Sequence, residues 1–333
     1  MRPILNVRSL NKRFPIDRRS AVWAVDDVSF SIGRGETLGL VGESGSGKTT
    51  VGRCILYLLE PDSGLIEFDG VDLAALSGRD RRALRHRMAI VFQDPRDALN
   101  VLRSVRQTVE EPLILQGGID ARERRRRVAE TIEAVGLKQT DLGRYPLQLT
   151  GSEQQRLGIA RAIVTRPDLV VVDEATSNLD PASRSEVLDL FVDLQARYQM
   201  SYLFISHDMT AVERVSHRMA IMYLGRIVET APTADIFRRQ LHPYSRGLIS
   251  SVLYADPNRR LEPFVLEGEI PTAINPPPAC SLISRCPFTE ARCGDGKPPL
   301  ARIAEGRYSA CVRSGEFLAD DAIPLPISAG EHV

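Results

Sequence analysis

Residues 42–50 read Gly-Glu-Ser-Gly-Ser-Gly-Lys-Thr-Thr, and their types and spacing describe a grip for phosphate. Gly42, Gly45 and Gly47 let the backbone bend so that N–H groups, those of Glu43, Ser44 and Ser46 among them, wrap phosphate oxygens at a helix N-terminus. Lys48 is spaced to reach β- and γ-phosphates and the Thr49 hydroxyl to bind Mg²⁺, with Thr50 continuing the helix. An ordinary Gly-rich turn with an exposed lysine could use the same letters. The strand before the segment and the helix after it favour the phosphate reading. Downstream, Leu-Val-Val-Val-Asp-Glu ends in Asp173 and Glu174. A buried strand would deliver Asp173 to hold Mg²⁺ through water, and Glu174 beside it could polarise an attacking water as general base. By itself an apolar strand ending in two acids is a weak signal. Its weight comes from the Gly-rich loop and from two later segments, Ser-Asn-Leu-Asp at 177–180 and Ile-Ser-His-Asp with His207 at a strand end.

The elements that must carry these residues are legible. Thr-Leu-Gly-Leu-Val ahead of Gly42 is a short buried strand, and a helix is expected from Gly47 to Leu59, stopped before Pro61. Further strands are expected at 4–10, 28–32, 64–70, 88–94, 168–174, 201–207 and through 218–230. Helices are expected over 121–137 and 182–198. Strands alternating with helices indicate a mostly parallel α/β sheet. The run Arg124–Arg127 reads as a solvated helix face, because Lys+Arg and Asp+Glu are both 43 and nonspecific nucleic-acid binding wants an excess of positive charge. With 333 residues, 43% hydrophobic and 26% charged, the chain has the balance of a globular protein with two domains. No apolar run reaches membrane-spanning length and no signal segment is seen, so a cytosolic protein is expected.

The cysteines divide unevenly. Cys54 stands alone in the helix after the Gly-rich loop and reads as a small buried apolar residue. Cys280, Cys286, Cys293 and Cys311 share one late segment with the spacing C-x5-C-x6-C-x17-C, after a Pro-rich stretch. Thiolates so clustered could hold a 4Fe–4S cluster or a tetrahedral zinc, or stay as thiols or a disulfide. Structural zinc more often shows C-x2-C knuckles, which are absent here.

Taken in order, the Gly-rich loop, Gln93 at a strand end, Leu149-Thr150-Gly151-Ser152-Glu153 followed by Gln-Gln-Arg, Asp173-Glu174, Ser-Asn-Leu-Asp and His207 resemble the ATP-binding subunits of ABC transporters over residues 1 to about 235. The resemblance narrows with His242-Pro243-Tyr244-Ser245-Arg246, Asn275-Pro276-Pro277 and Arg285-Cys286-Pro287, which are similar to the oligopeptide/dipeptide (peptide/nickel) importer ATPases. It implies a RecA-like P-loop NTPase core with an antiparallel β subdomain and an inserted helical subdomain at about 95–160. These make a nucleotide-binding domain over 1–250, followed by a small cysteine-containing domain over 251–318 and a tail over 319–333. It implies ATP and Mg²⁺ as ligands, with Thr49, Gln93 and Asp173 toward the metal. His207 would sense the γ-phosphate, and Gln93 would couple the site to the helical subdomain. Phe14 would stack on adenine, with Trp23 as the alternative. It favours the 4Fe–4S reading of the cysteines. It also implies a second ATPase subunit, two permease subunits and, indirectly, an external solute-binding protein. The subunit would then sit peripherally at the cytoplasmic face of the membrane, without nucleic acid as partner.

In that family two subunits sandwich two ATPs head to tail, and the signature of one completes the site on the other's P-loop. The common form is Leu-Ser-Gly-Gly-Gln/Glu. Here Thr150 keeps a hydroxyl and Glu153 is a common variant, whereas Ser152 replaces a glycine. A Gly there lets backbone approach phosphate and could require a conformation that a Cβ disfavours. Ser152 is therefore either tolerated drift or the mark of an asymmetric heterodimer whose partner site is slower. Two other classes are weighed against an importer ATPase. A soluble ABC ATPase acting on DNA or ribosomes would be expected to show coiled-coil insertions or tandem halves. A non-hydrolysing regulatory subunit is disfavoured by the intact Glu174.

Overall fold

The computed structural model describes residues 2–252, 264, 266, 268, 269 and 271–319. The tail from 320 onward, and residues 253–263 just beyond the expected boundary at 250, lie outside the described residues.

In chain order the strands are β1 (Leu5–Pro15), β2 (Ala21–Ile32), β3 (Thr37–Val41), β4 (Ser63–Phe68), β5 (Val71–Asp72), β6 (Met88–Val91), β7 (Leu169–Asp173), β8 (Ser201–Ser206), β9 (Arg218–Tyr223), β10 (Arg226–Pro232), β11 (Ala301–Ala304) and β12 (Arg307–Ser309). The helices are α1 (Lys48–Ile55), α2 (Gly78–Leu84), α3 (Val105–Gln116), α4 (Ala121–Ala134), α5 (Gly151–Ile163), α6 (Pro181–Tyr198), α7 (Met209–Val215), α8 (Thr233–Arg238), α9 (Pro243–Ser250) and α10 (Ser314–Ala319). Two sheets form: an antiparallel one in the order β2-β1-β4-β5, and a larger one in the order β11-β12-β10-β9-β3-β8-β7-β6. Within the larger sheet β6, β7, β8, β3 and β9 run parallel, and β10, β12 and β11 add on antiparallel.

The parallel strands are apolar at nearly every position because both faces are covered. Side chains alternate across the sheet. Leu38, Leu40, Leu169, Val171, Leu203 and Ile205 pack with Val51, Cys54 and Ile55 of α1 and with the antiparallel sheet. Their neighbours Val41, Val170, Val172, Tyr202 and Phe204 pack with Leu190 and Phe191 of α6 and with the cluster that includes α3, α4 and α5. The ends of β3, β7 and β8 are thus fixed from two sides.

Two outcomes differ from the sequence reading. The helix after the Gly-rich loop ends at Ile55, because Tyr57 takes a left-handed conformation (φ 50°) and the N–H groups of Leu58 and Leu59 turn back to the Arg53 carbonyl. The C-terminal region is also woven into the core. Strand β12 pairs with β10, and Ile274 bridges to Val22 at the edge of β2. On α4, Arg126 and Arg127 reach Glu123, and Arg124 lies 3.0 Å from Glu110, as a solvated ion-paired face would have it.

Candidate nucleotide site and thiol pocket

Strand β3 ends at Val41 and the chain turns through residues 42–47 into α1. The turn requires glycine where it touches the rest of the molecule. A Cβ on Gly47 (φ 100°) would lie 1.9 Å from the Ala24 carbonyl oxygen, and one on Gly42 would lie 2.1 Å from that of Met222. Lys48 Nζ folds back over the loop, donating to the carbonyls of Gly42 and Glu43 at 2.9 Å each and to Ser46 Oγ at 3.4 Å. Burial pushes the Lys48 ammonium down, opposed by the nearby charges of Glu174, Asp173 and Glu43. Ser44 and Gly45 are exposed at the tip, Ser46 is buried beneath it, and Thr50 is half-buried in the first turn of α1.

The two halves of the motif meet. Thr49 Oγ1 donates to Asp173 Oδ1 at 2.9 Å, although the residues are 124 apart in sequence. Burial pushes the Asp173 carboxyl up, with the Thr49 hydrogen bond acting against it. A carboxylate that is costly to leave without a positive partner, beside a hydroxyl, is a donor set suited to Mg²⁺. Glu174 leaves β7 in a left-handed conformation (φ 48°), held by its N–H donating to the Ile205 carbonyl at 2.9 Å. Its Oε2 lies 3.3 Å from Nδ1 of His207, which is more than half exposed. Gln93 Nε2 donates to Ser177 Oγ at 3.4 Å, and Ser177 in turn donates to the Glu174 carbonyl at 3.0 Å. Lys48, Thr49, Gln93, Asp173, Glu174 and His207 are therefore linked around one loop. Such an arrangement can hold a polyphosphate, place a divalent ion and present a carboxylate to water.

The remaining residues sit apart from this group. Phe14 pairs with Val22 in β1–β2 and is 40% exposed. Trp23 is faced by two cations, Arg13 (4.7 Å from the ring centroid) and Lys297 (5.0 Å), and Phe14 by one, Lys12 (5.8 Å). Thr150 caps α5 and closes a capping box with Glu153, and Gly151 opens the helix. Ser152 lies within α5 and outside the set of residues with positive φ. The expectation that this position could demand a conformation disfavouring a Cβ is thus corrected, because a helical N2 residue accepts any L side chain.

Cys280, Cys286, Cys293 and Cys311 are free thiols that line one small apolar cavity together with His242, Pro243 and Leu282. Burial pushes the Cys280 and Cys286 thiols up, and Cys311 up to about 12. Among the described residues no group of three or more His, Cys, Asp or Glu is arranged to hold a metal ion. Cys54 of α1 is fully buried in the core.

Comparison with known proteins agrees with this geometry. A family model described as ABC transporter matches residues 25–177, and one described as Oligopeptide/dipeptide transporter, C-terminal region, matches residues 228–293. A Brucella ovis chain named for peptide import and ATP binding is 42% identical over 311 residues, covering 93% of this chain and 98% of its own. The chain belongs to the ABC transporter ATP-binding proteins. The dipeptide transport ATP-binding protein DppF of Haemophilus influenzae is 38% identical over 314 residues, covering 93% of this chain and 96% of its own. Among solved structures, a dimeric ATP-binding cassette in a post-hydrolysis state with ADP and Pi superposes with a TM-score of 0.63 at 25% identity, over 69% of this chain and 98% of that one. The cassette here thus shares the P-loop NTPase fold of its structural relatives, and it is an ATPase subunit of an ABC importer.

Sequence reasoning missed two residues at the loop. Tyr244 and Arg285 both touch Glu43, from 201 and 242 positions away. The His-Pro-Tyr segment was visible as a family mark, but no local spacing ties it to the Gly-rich loop.

Proposed function

We propose that this subunit hydrolyses ATP to drive import of peptides or related small solutes through two permease subunits at the cytoplasmic face of the membrane. The observation that carries the catalytic part is the meeting of Thr49 with Asp173 at 2.9 Å, with Glu174 and His207 beside them. In this reading Gly42–Thr50 bind the phosphates and Lys48 offsets their charge. Thr49, Asp173 and Gln93 would hold Mg²⁺, which when bound would neutralise charge on the phosphate oxygens. Glu174 takes a proton from the attacking water, and His207, with Nδ1 beside Glu174, senses the γ-phosphate. Phe14 receives the adenine. The names of relatives, for peptide import and dipeptide transport, support the solute class. The match of the C-terminal region to oligopeptide/dipeptide transporters favours an importer over a soluble ATPase acting on nucleic acid or ribosomes.

We assign the partners on the same basis. Among the described residues no helix is long and apolar enough to cross a membrane, so translocation needs other subunits. A groove of about 770 Å³ with Met88, Ile90, Phe92 and Leu115 on its walls and Arg79 and Arg82 on its rim is the surface we give to a permease segment. A second cassette, in a heterodimer, would present its signature to Lys48, while Thr150, Gly151, Ser152 and Glu153 would complete the partner's site. A solute-binding protein would act indirectly through the permeases. The chain is divided, in this proposal, into the cassette over 1–250 with a helical subdomain near 95–160, and the cysteine region over 251–318.

A 4Fe–4S cluster, ahead of a zinc ion, is the group we give to the four thiols, on the likeness of their region to the oligopeptide/dipeptide transporters. All four face one apolar cavity, yet they are not drawn together as ligands of a single ion. Four Cys thiolates are the ligand set of such a cluster. Its role would be structural.

The test of the site is nucleotide binding. Lys48→Ala should weaken ATP binding in a titration of the full chain. Unchanged affinity would remove residues 42–50 from the nucleotide site.

A further inference from the structure

We infer that Tyr244 and Arg285 are positioning residues for the phosphate-binding loop: they hold Glu43 from the C-terminal side of the chain and so set nucleotide affinity. The inference rests on the reading of Gly42–Thr50 as the nucleotide site.

The loop is weakly supported at its tip. Ser44 and Gly45 are exposed, and an atom added at Gly45 would meet nothing within 4 Å. Glu43 is where outside support enters. Its N–H donates to Tyr244 Oη at 2.9 Å, and its Oε2 accepts from Arg285 Nη1 at 3.4 Å. The Glu43 carbonyl accepts from Lys48 Nζ at 2.9 Å. Backbone donor, backbone acceptor and carboxylate are therefore all engaged. A displacement of Glu43 would carry the Lys48 ammonium with it.

The support itself is rigid. Tyr244 is fully buried, and its ring packs 4.4 Å from that of Tyr223 at a tilt of 43°. Tyr223 closes β9, one residue after the Met222 carbonyl that abuts Gly42. Arg285 is nearly buried and also reaches Tyr223 Oη at 3.5 Å. Tyr244 is set in turn by α9. Its N–H donates to His242 Nδ1 at 3.1 Å, and the buried Glu229 of β10 accepts the N–H groups of Leu241 and His242 at 2.8 and 3.0 Å. Burial keeps the phenol of Tyr244 protonated. The same short segments wall the thiol pocket, through His242, Pro243 and Cys286. The pocket and the nucleotide loop thus share one scaffold.

The experiment titrates MgATP into the full-length chain and its variants, with steady-state KM and kcat measured in the assembled complex. Tyr244→Phe keeps the ring and removes only the acceptor for a backbone donor. It should raise the ATP Kd and KM by about tenfold, as loss of a partner for a buried N–H does, with kcat at saturation within about twofold. Arg285→Gln and Glu43→Gln should each raise Kd by a few-fold, the double variant should add nothing beyond either single one, and Arg285→Lys should recover part of the loss. A folded Tyr244→Phe with wild-type Kd would overturn the role of Tyr244. Fully additive effects of Arg285→Gln and Glu43→Gln would overturn that of Arg285, and this arm stands even if Tyr244→Phe does not fold. Failure of wild type to bind MgATP, or wild-type binding by Lys48→Ala, would instead overturn the nucleotide site on which the inference rests.

Discussion

Replacing Glu174 by Gln tests the chemistry most directly, because it changes one oxygen and leaves the phosphate grip untouched. Glu174 is held at the end of β7 by backbone in a left-handed conformation (φ 48°) and by its N–H to Ile205, and its carboxylate is mostly buried beside His207 Nδ1 at 3.3 Å. A glutamine fits the same space and keeps a group able to bond His207. It cannot take a proton from water. Loss of a general base costs about 10²–10⁴-fold, which corresponds to about 2.7–5.4 kcal/mol of barrier at 1.36 kcal/mol per tenfold. Lys48 donates to the Gly42 carbonyl and Thr49 to Asp173, and neither hydrogen bond involves the Glu174 side chain. ATP affinity should therefore stay near wild type while phosphate release in the reconstituted transporter falls by at least a hundredfold. Phosphate release within a few-fold of wild type would refute the assignment of Glu174 as base. A parallel loss of ATP affinity would show that Glu174 acts in binding instead.

Three other outcomes are expected. Purified without oxygen, the protein should be brown with broad absorption near ~400 nm from thiolate-bound iron, and Cys286→Ser should bleach it; a colourless sample with one bound zinc would decide for zinc. If the Ser152 side chain crowds the ATP held by a partner's P-loop, Ser152→Gly should raise turnover there by less than tenfold, below ~1.4 kcal/mol of barrier, since its backbone is already helical; the gain should be seen with Glu174 disabled and not with the partner's glutamate disabled, and its absence would mark Ser152 as drift. Burial pushes the carboxyl of Glu229 up to about 7, so the folded state holds its proton more tightly than the unfolded chain does; stability should fall as pH rises from the unfolded value of about 4.3 toward 7 and level off above, and chemical denaturation of Glu229→Gln should lack that slope.

What could be read from sequence was what the chain writes contiguously or repeats with a simple period. The Gly-rich loop is nine consecutive residues whose flanks announce strand and helix, and β7 is four apolar residues in line before Asp173. The meeting of Thr49 with Asp173 follows from assigning both to one Mg²⁺, Thr49 in the first turn of α1 and Asp173 at the end of β7. The end of α1 was not legible, since Leu58 and Leu59 continue an apolar pattern that only the left-handed Tyr57 interrupts. Nor was the helical state of Ser152. The letter at a signature glycine suggests a backbone demand, whereas the conformation is set by the capping box of Thr150 and Glu153 around it.

The deeper omission concerns the C-terminal region. A Pro-rich stretch followed by clustered cysteines has the texture of an appendage, and composition gives no sign of attachment. The attachments are pairwise and remote. Ser309 of β12 pairs with Glu229 of β10, Asn275 Oδ1 accepts the N–H of Ala21 at 3.2 Å, and Lys297 lies 2.7 Å from Asp26 in the middle of β2. Asp26 also pairs with Arg226 at 3.2 Å, in the turn whose Gly225 donates to the Ser46 carbonyl of the phosphate loop. The C-terminal residues therefore touch the loop by two routes, through Asp26 and the β9–β10 turn and through Tyr244 and Arg285 at Glu43. A region bound to the loop at two places constrains its orientation as well as its position, which a single contact does not. Such constraint keeps the grip on phosphate preorganised.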